Sequence, residues 1–179
     1  MRGRARSKPF STGLPSAIIP EPCVLESWDT IWRLAYPRFA SDLNGSGNRI
    51  HGARWNSPGR GVLYTSENLS LCLLETLVHL PGALRVRLPE RLAIRIEYPD
   101  DAEILELRAL PETARAAKCR ETGDRWLDGG AALILKAPSI AVPQEANFMF
   151  NPQHPRMGEV KAVETEPFHF DGRMAAESN

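Results

Sequence analysis

The side chains of this 179-residue chain that could do chemistry are concentrated in residues 44 to 75, NGSGNRIHGARWNSPGRGVLYTSENLSLCLLE. Gly45, Gly47, Gly52, Gly59 and Gly61 punctuate the first half, with Arg54, Trp55 and Asn56 set among them. Glycine permits positive φ and close backbone approach, so such a loop can turn its N–H groups toward an anion. Guanidinium groups grip phosphate oxygens in pairs, and tyrosine or tryptophan stacks on a flat ring. Tyr64 and then Glu75 follow, the glutamate being the one carboxylate in a run of leucines. Arginines, glycines, aromatics, a serine and a glutamate suit a ligand made of a pyrophosphate, a ribose and a flat ring. A glutamate there could hold ribose hydroxyls and stabilise an oxocarbenium-like cation.

Other chemistries find no support. The glycine spacing is neither GxxxxGK[ST] nor a GxGxxG between strand and helix. His51, His79, His154 and His169 are far apart and form no HExxH, and no GxSxG elbow or Ser-His-Asp order is present. Cys23, Cys72 and Cys119 are odd in number and lack a CxxC, so neither a disulfide framework nor a metal site is indicated. Cys72, mid-helix among leucines, reads as a packed thiol. Zero formal net charge and a pI near 6.9 argue against direct binding of nucleic acid or a membrane surface. Arg2, Arg4, Arg6 and Lys8 form a local basic tip. No apolar run approaches the ~20 residues of a membrane span. No signal-peptide core follows the basic start, so the expected compartment is the cytoplasm.

These residues need elements to hold them. Length, 42% apolar and 25% charged residues fit one globular domain. Residues 1–27 read as an irregular extension, 28–174 as the domain and 175–179 as a frayed end. Ile31 to Tyr36 alternates as a strand. It turns Arg33 either inward, where it needs an anion, or toward solvent. Val62 to Thr65 reads as a strand, and Leu69 to about Leu80 as a helix capped by Ser66 or Asn68. On a helical wheel the apolar residues of that helix cover about 200° of arc, which predicts a central helix with little water around it. Glu75 sits at the edge of the arc, either lining a cleft or lying on a solvated stripe with His79. Leu92–Tyr98 predicts a strand with Arg95 and Glu97 outward, and Ile104–Leu107 another. Residues 112–121 read as a helix. A second short helix capped by Thr122 or Asp124 contains Trp126 and Leu127 and ends at Gly129-Gly130. Ala131–Lys136 reads as a buried strand stopped by Pro138, with Ile140–Val142 continuing it. Asn147 and a tight NPQHP element at 151–155 come next, then strands at Val160–Val163 and Phe168–Phe170. Six to eight short strands and three or four helices in mixed order predict an α+β domain around a mixed central sheet.

The motifs WRLA, a GxG loop, HGARWNSPGRGVLYTSE, LLETLVHL, GDRWL, KAPSIAVPQEANFMFNPQHP and FHFDGR follow in that order from about Trp32 to Arg173. This succession resembles the RES domain, the toxin of Xre–RES toxin–antitoxin systems. The resemblance implies a fold related to ADP-ribosyltransferase toxins and an activity that consumes NAD+, by phosphorolysis, by hydrolysis or by transfer to a protein. An inactive partner-binding module is the remaining alternative. Cleavage of the nicotinamide–ribose bond needs little acid catalysis, because nicotinamide leaves neutral. By matched position, the implied catalytic residues are Arg33, Tyr64, Glu75 and Ser139. Arg33 and Arg54 would hold pyrophosphate or incoming phosphate, Tyr64 would position the nicotinamide ribose, Glu75 would stabilise the cation, and Ser139 would bind ligand or the attacking anion. Gly52, Arg54, Trp55, Asn56 and Asn147 are the implied NAD+-binding residues. NAD+ is a substrate and inorganic phosphate a co-substrate, with no resident cofactor and no metal. The implied partner is an Xre-type antitoxin that carries the DNA contacts, and a toxin homodimer within that complex is compatible with the resemblance.

Overall fold

A computed structural model of the chain describes residues 27–81, 84, 88–109 and 116–175. Its centre is a mixed seven-stranded sheet with the order β4-β5-β6-β2-β1-β3-β7. The strands are β1 Trp28–Ala35, β2 Leu63–Ser66, β3 Arg91–Pro99, β4 Ile104–Glu106, β5 Ile134–Pro138, β6 Ala146–Phe150 and β7 Lys161–Phe168. Among the described residues only β4 and β5 pair in parallel; the other pairings are antiparallel. Three α-helices accompany them among the described residues: α1 Ser46–His51, α2 Leu69–His79 and α3 Ala116–Gly129. The architecture is the expected α+β domain around a mixed sheet.

One joint in this sheet is incomplete. β1 pairs with β3 along eight residues, and β2 pairs with β6 along four. Between β1 and β2 a single rung remains, Trp32 opposite Ser66. Past it the strands part, and Leu34 donates its backbone N–H to the Cys72 thiol of α2 at 3.0 Å instead of to a neighbouring strand. The sheet is therefore two half-sheets, β4-β5-β6-β2 and β1-β3-β7, with α2 beside the gap.

Alternation along the strands builds a core on each face. Ile134, Phe148 and Phe150 join Ile31, Leu63, Ile94 and Ile96 in one. Leu135 and Met149 join Trp55, Val62, Cys119 and Trp126 in the other. Each fully buried side chain of this size is worth about 1.5–3 kcal/mol over leaving it in water. The outward positions of β3 follow the sequence expectation: Arg95 bonds Glu97 and Glu164 on the sheet surface. Such an exposed network adds little stability.

Several expectations are corrected. The glycine loop contains the short helix α1, whose start is secured by Asp42: its carboxylate accepts from Asn44 N at 2.9 Å and Ser46 N at 2.8 Å. Gly45, at φ 65°, is required there, because a Cβ would fall 2.2 Å from the Val62 carbonyl oxygen. α2 is not a central helix: only Leu71 and Cys72 are buried, and Val78 is 55% exposed. It buries one narrow stripe on the sheet, and most of the rest of its wide apolar arc is only half-buried. Its N-cap is Asn68, whose side chain accepts from Leu71 N. The two short helices expected around residue 122 are one continuous α3, and residues 112–115 lie outside the described part. Ile140–Val142 is an irregular bend and not a strand. β6 is a strand where the sequence reading placed only Asn147, and the two closing strands are the single edge strand β7. Residues 1–26 and 176–179 also lie outside the described part.

Candidate active site

The gap between the half-sheets opens into a cavity of about 580 Å³ whose lining includes Arg33, Tyr36, Arg54, Tyr64, Glu75 and Asn147. A second hollow of about 330 Å³ shares Arg54, Tyr64, Glu75, His79 and Asn147 and continues past Pro138 and Ile140. Glu75 thus stands where the two spaces meet.

The geometry of Glu75 follows from four elements meeting behind it. α2 brings the carboxylate to the gap. Its Oε1 accepts from Ser139 Oγ at 2.7 Å and from Asn147 Nδ2 at 2.7 Å. Asn147, on β6, is itself oriented by Ser66 Oγ, which donates to its Oδ1 at 2.7 Å. Ser139, just past β5, accepts from the backbone N–H groups of Ala141 and Val142 at 3.0 and 3.1 Å, so its hydroxyl proton is left to point at Glu75. One carboxylate oxygen is therefore immobilised. The other, Oε2, faces His79 Nε2 at 3.5 Å and the cleft. Ser139 is wholly buried, which places it behind Glu75 and not in the cleft. Its role here is to hold the carboxylate. Ser139→Ala removes a hydrogen bond to a charged acceptor, worth about 1.5–3 kcal/mol. Thermal denaturation is expected to show a melting temperature lowered by roughly 3–12 °C.

Tyr64 projects from β2 into both spaces, but its hydroxyl is committed. It donates to Asn56 Oδ1 at 2.8 Å and accepts from Trp55 N at 3.0 Å. Burial pushes the phenol well above its ordinary pKa, so it stays neutral and offers the cavity its ring. Asn56, fully buried, also donates to the carbonyls of Asn48 and Arg60 at 3.1 and 2.8 Å. It ties the loop to itself and to Tyr64 and reaches no cavity wall. Gly52, at φ 69°, plays a similar supporting part: a Cβ there would come within 2.9 Å of the Asn56 carbonyl oxygen. Trp55 touches the second hollow, yet it is 4% exposed and packs in the core with Trp126 and Cys119.

Arg33 takes the inward alternative. Its Nη1 donates to the Asp42 carbonyl at 2.6 Å. Burial draws its pKa down, and Asp42 and Cys72 partly offset this; an arginine nevertheless stays charged. The Asp42 carboxylate itself is bonded to the α1 start, and among the described residues the guanidinium's hydrogen bond goes to a carbonyl. The adjacent Cys72 thiol is pushed up to about 11, chiefly by burial, which makes it a neutral packed group, not a nucleophile.

The structure thus brings Arg33, Arg54, Tyr64, Glu75 and Asn147 onto one cavity, and sets Ser139, Asn56 and Gly52 behind its wall. Sequence reading did not place Tyr36, Ser66 and Arg91 at the site. Only the pairing Ser66–Asn147 had a signal available, through the strand β6 that was missed. Among the described residues, no cluster of His, Cys, Asp and Glu could hold a metal ion, and no helix is long and apolar enough to cross a membrane.

Known proteins resemble this chain in sequence and in fold. A sequence model described as the RES domain matches residues 30–171. The Prs ADP-ribosylating toxin of a Sphingobium species is 33% identical over 157 residues, covering 81% of this chain and 96% of that protein. The protein named Toxin Res of Pseudomonas putida is 34% identical over 154 residues, 80% of this chain and 98% of its own. The crystal structure of the M. tuberculosis MbcT–MbcA toxin–antitoxin complex contains a chain with a TM-score of 0.64 at 17% identity, over 80% of this chain and 85% of that one, a likeness of fold. With the family match spanning most of its length and two relatives above 30% identity, the chain belongs to the RES domain family.

Proposed function

We propose that this chain is a toxin that cleaves the nicotinamide–ribose bond of NAD+ and passes the ADP-ribosyl group to phosphate or water. The observation that carries this is the carboxylate of Glu75. One oxygen is fixed by Ser139 and Asn147, and the other is turned to a cavity walled by Arg33, Arg54 and the Tyr64 ring. As the C1′–N bond breaks, its electron pair leaves with nicotinamide and positive charge builds on the ribose. A pre-oriented carboxylate stabilises that charge without having to reorganise. The incoming phosphate oxygen or water then bonds C1′; with water, a proton is released to solvent. The arginines bind the diphosphate, and a buried neutral tyrosine supplies a flat wall at the ribose. Transfer to a protein acceptor is the second reading, favoured by the Sphingobium relative, which is named for ADP-ribosylating Prs. The partner we propose is a cognate Xre-type antitoxin, in line with relatives named Toxin Res and with the fold shared with a toxin–antitoxin complex.

Purified protein incubated with NAD+, with and without inorganic phosphate, tests the proposal by chromatography. Nicotinamide is expected in the products, and phosphate dependence separates phosphorolysis from hydrolysis. Label from NAD+ recovered on a macromolecule would favour the second reading. No nicotinamide under any condition would refute both.

A further inference from the structure

Arg91 is buried at 5% exposure at the start of β3, on the wall of the same cavity. Its guanidinium carbon lies 3.4 Å from the centroid of the Tyr36 ring, and Nη1 donates to the Glu90 carbonyl at 3.2 Å. Among the described residues, Arg60, Arg95, Arg125, Arg156 and Arg173 form carboxylate ion pairs, whereas Arg33 and Arg91 are seen in none. A buried guanidinium without a carboxylate is costly unless an anion reaches it. Arg91 has five N–H donors, one of them used, and the Tyr36 ring fixes the plane in which the rest point.

Position along the strands tells which part of a ligand it would meet. Glu75 is bonded to Asn147, which pairs with Ser66, which in turn pairs with Trp32. Tyr36 lies four residues beyond Trp32, roughly 13 Å along an extended chain. Arg33 is one residue beyond. Arg33 and Arg91 therefore mark a near and a far anion position measured from Glu75.

Building on the NAD+ reading, we propose that Arg91, held flat by Tyr36, binds the phosphate on the adenosine side and makes the enzyme selective for a dinucleotide over a mononucleotide. Arg33 then serves the phosphate on the nicotinamide side. Nicotinamide mononucleotide, which lacks the far phosphate, gains nothing from Arg91.

The test combines titration calorimetry of the full chain against ADP with steady-state turnover of NAD+ and of nicotinamide mononucleotide. Arg91→Met is expected to weaken ADP binding and raise KM for NAD+ by about tenfold or more, the loss of one charge-assisted pair. Its kcat should stay within about twofold, and kcat/KM for the mononucleotide should not change. Arg91→Lys should lie between, keeping the charge without the fork. Unchanged ADP affinity in Arg91→Met, or equal losses on both substrates, would overturn the proposal. Should Arg91→Met fail to fold, Tyr36→Leu, which keeps the cation and removes its plate, is judged by the same two readouts. Absence of NAD+ turnover by the wild type would sink the reaction but leave the ADP titration to decide the subsite. A wild type that does not bind ADP overturns the subsite as well.

Discussion

Glu75→Gln is expected to slow nicotinamide release from NAD+ by about 10²–10³-fold, the usual cost of removing one pre-oriented electrostatic group from a reacting centre. The substitution suits the geometry. A glutamine carbonyl can still accept from Ser139 Oγ and Asn147 Nδ2, both 2.7 Å from Oε1 in the native chain. What it turns to the cleft is then a neutral amide in place of Oε2. Glu75→Ala is the less informative variant, because it leaves two donors without an acceptor in a half-buried place, at about 1–3 kcal/mol each. Near-native turnover in a folded Glu75→Gln protein would remove Glu75 from the chemistry.

Gly123→Ala is expected to lower stability despite lying in a helix. Gly123 lies inside α3, where alanine would ordinarily gain about 1 kcal/mol over glycine. The added Cβ, however, would sit 1.9 Å from the Trp55 carbonyl oxygen and 2.7 Å from its carbon. Both are backbone atoms, so the helix itself must retreat. Retreat strains the bonds from Ser57 N and Oγ to Asp124 and the packing of Cys119 and Trp126. Overpacking of this kind costs about 3 kcal/mol, so the clash outweighs the helix preference. A net loss of about 2 kcal/mol corresponds to roughly 4–8 °C in melting temperature. Because Trp55 follows Arg54 directly, KM for NAD+ should rise as well. A melting temperature at or above that of the wild type would contradict the packing described for α3.

Gly123 also illustrates what the sequence could and could not disclose. In Thr122-Gly123-Asp124 a glycine beside two capping residues reads as a helix break. The residue is there for a close approach to a loop some 68 positions earlier, which no local pattern encodes. The frame of the cavity was more legible. Arg33, Tyr64 and Glu75 stand in motifs whose strand and helix periods are short-range, and those elements formed within a few residues of expectation. Ser139 and Asn147 were found through motif resemblance, but their direction toward Glu75 comes from β5 and β6 lying side by side, a long-range pairing. β6 itself was hidden because ANFMF is a short apolar run next to a proline-rich turn. Arg91 was hidden because an arginine opening a strand usually faces water; the Tyr36 ring that covers it belongs to a distant segment. The wide apolar arc of α2 misled for the opposite reason: periodicity gives which residues share a face, not how much of the chain is left to cover it.

The parting of β1 from β2 has a cost that any cleft made inside a sheet must meet. Each lip is a strand edge with free backbone groups, and such edges recruit strands from other chains and seed aggregation. On β1 the hazard is met by the Cys72 thiol, which takes the Leu34 N–H and occupies the place a foreign strand would need. The outer edge at β7 is guarded differently, by Lys161, Glu164, Glu166 and Pro167. Cys72 is thus a blocking group for an interior seam: it leaves the opening free for a small ligand while closing it to another β-strand.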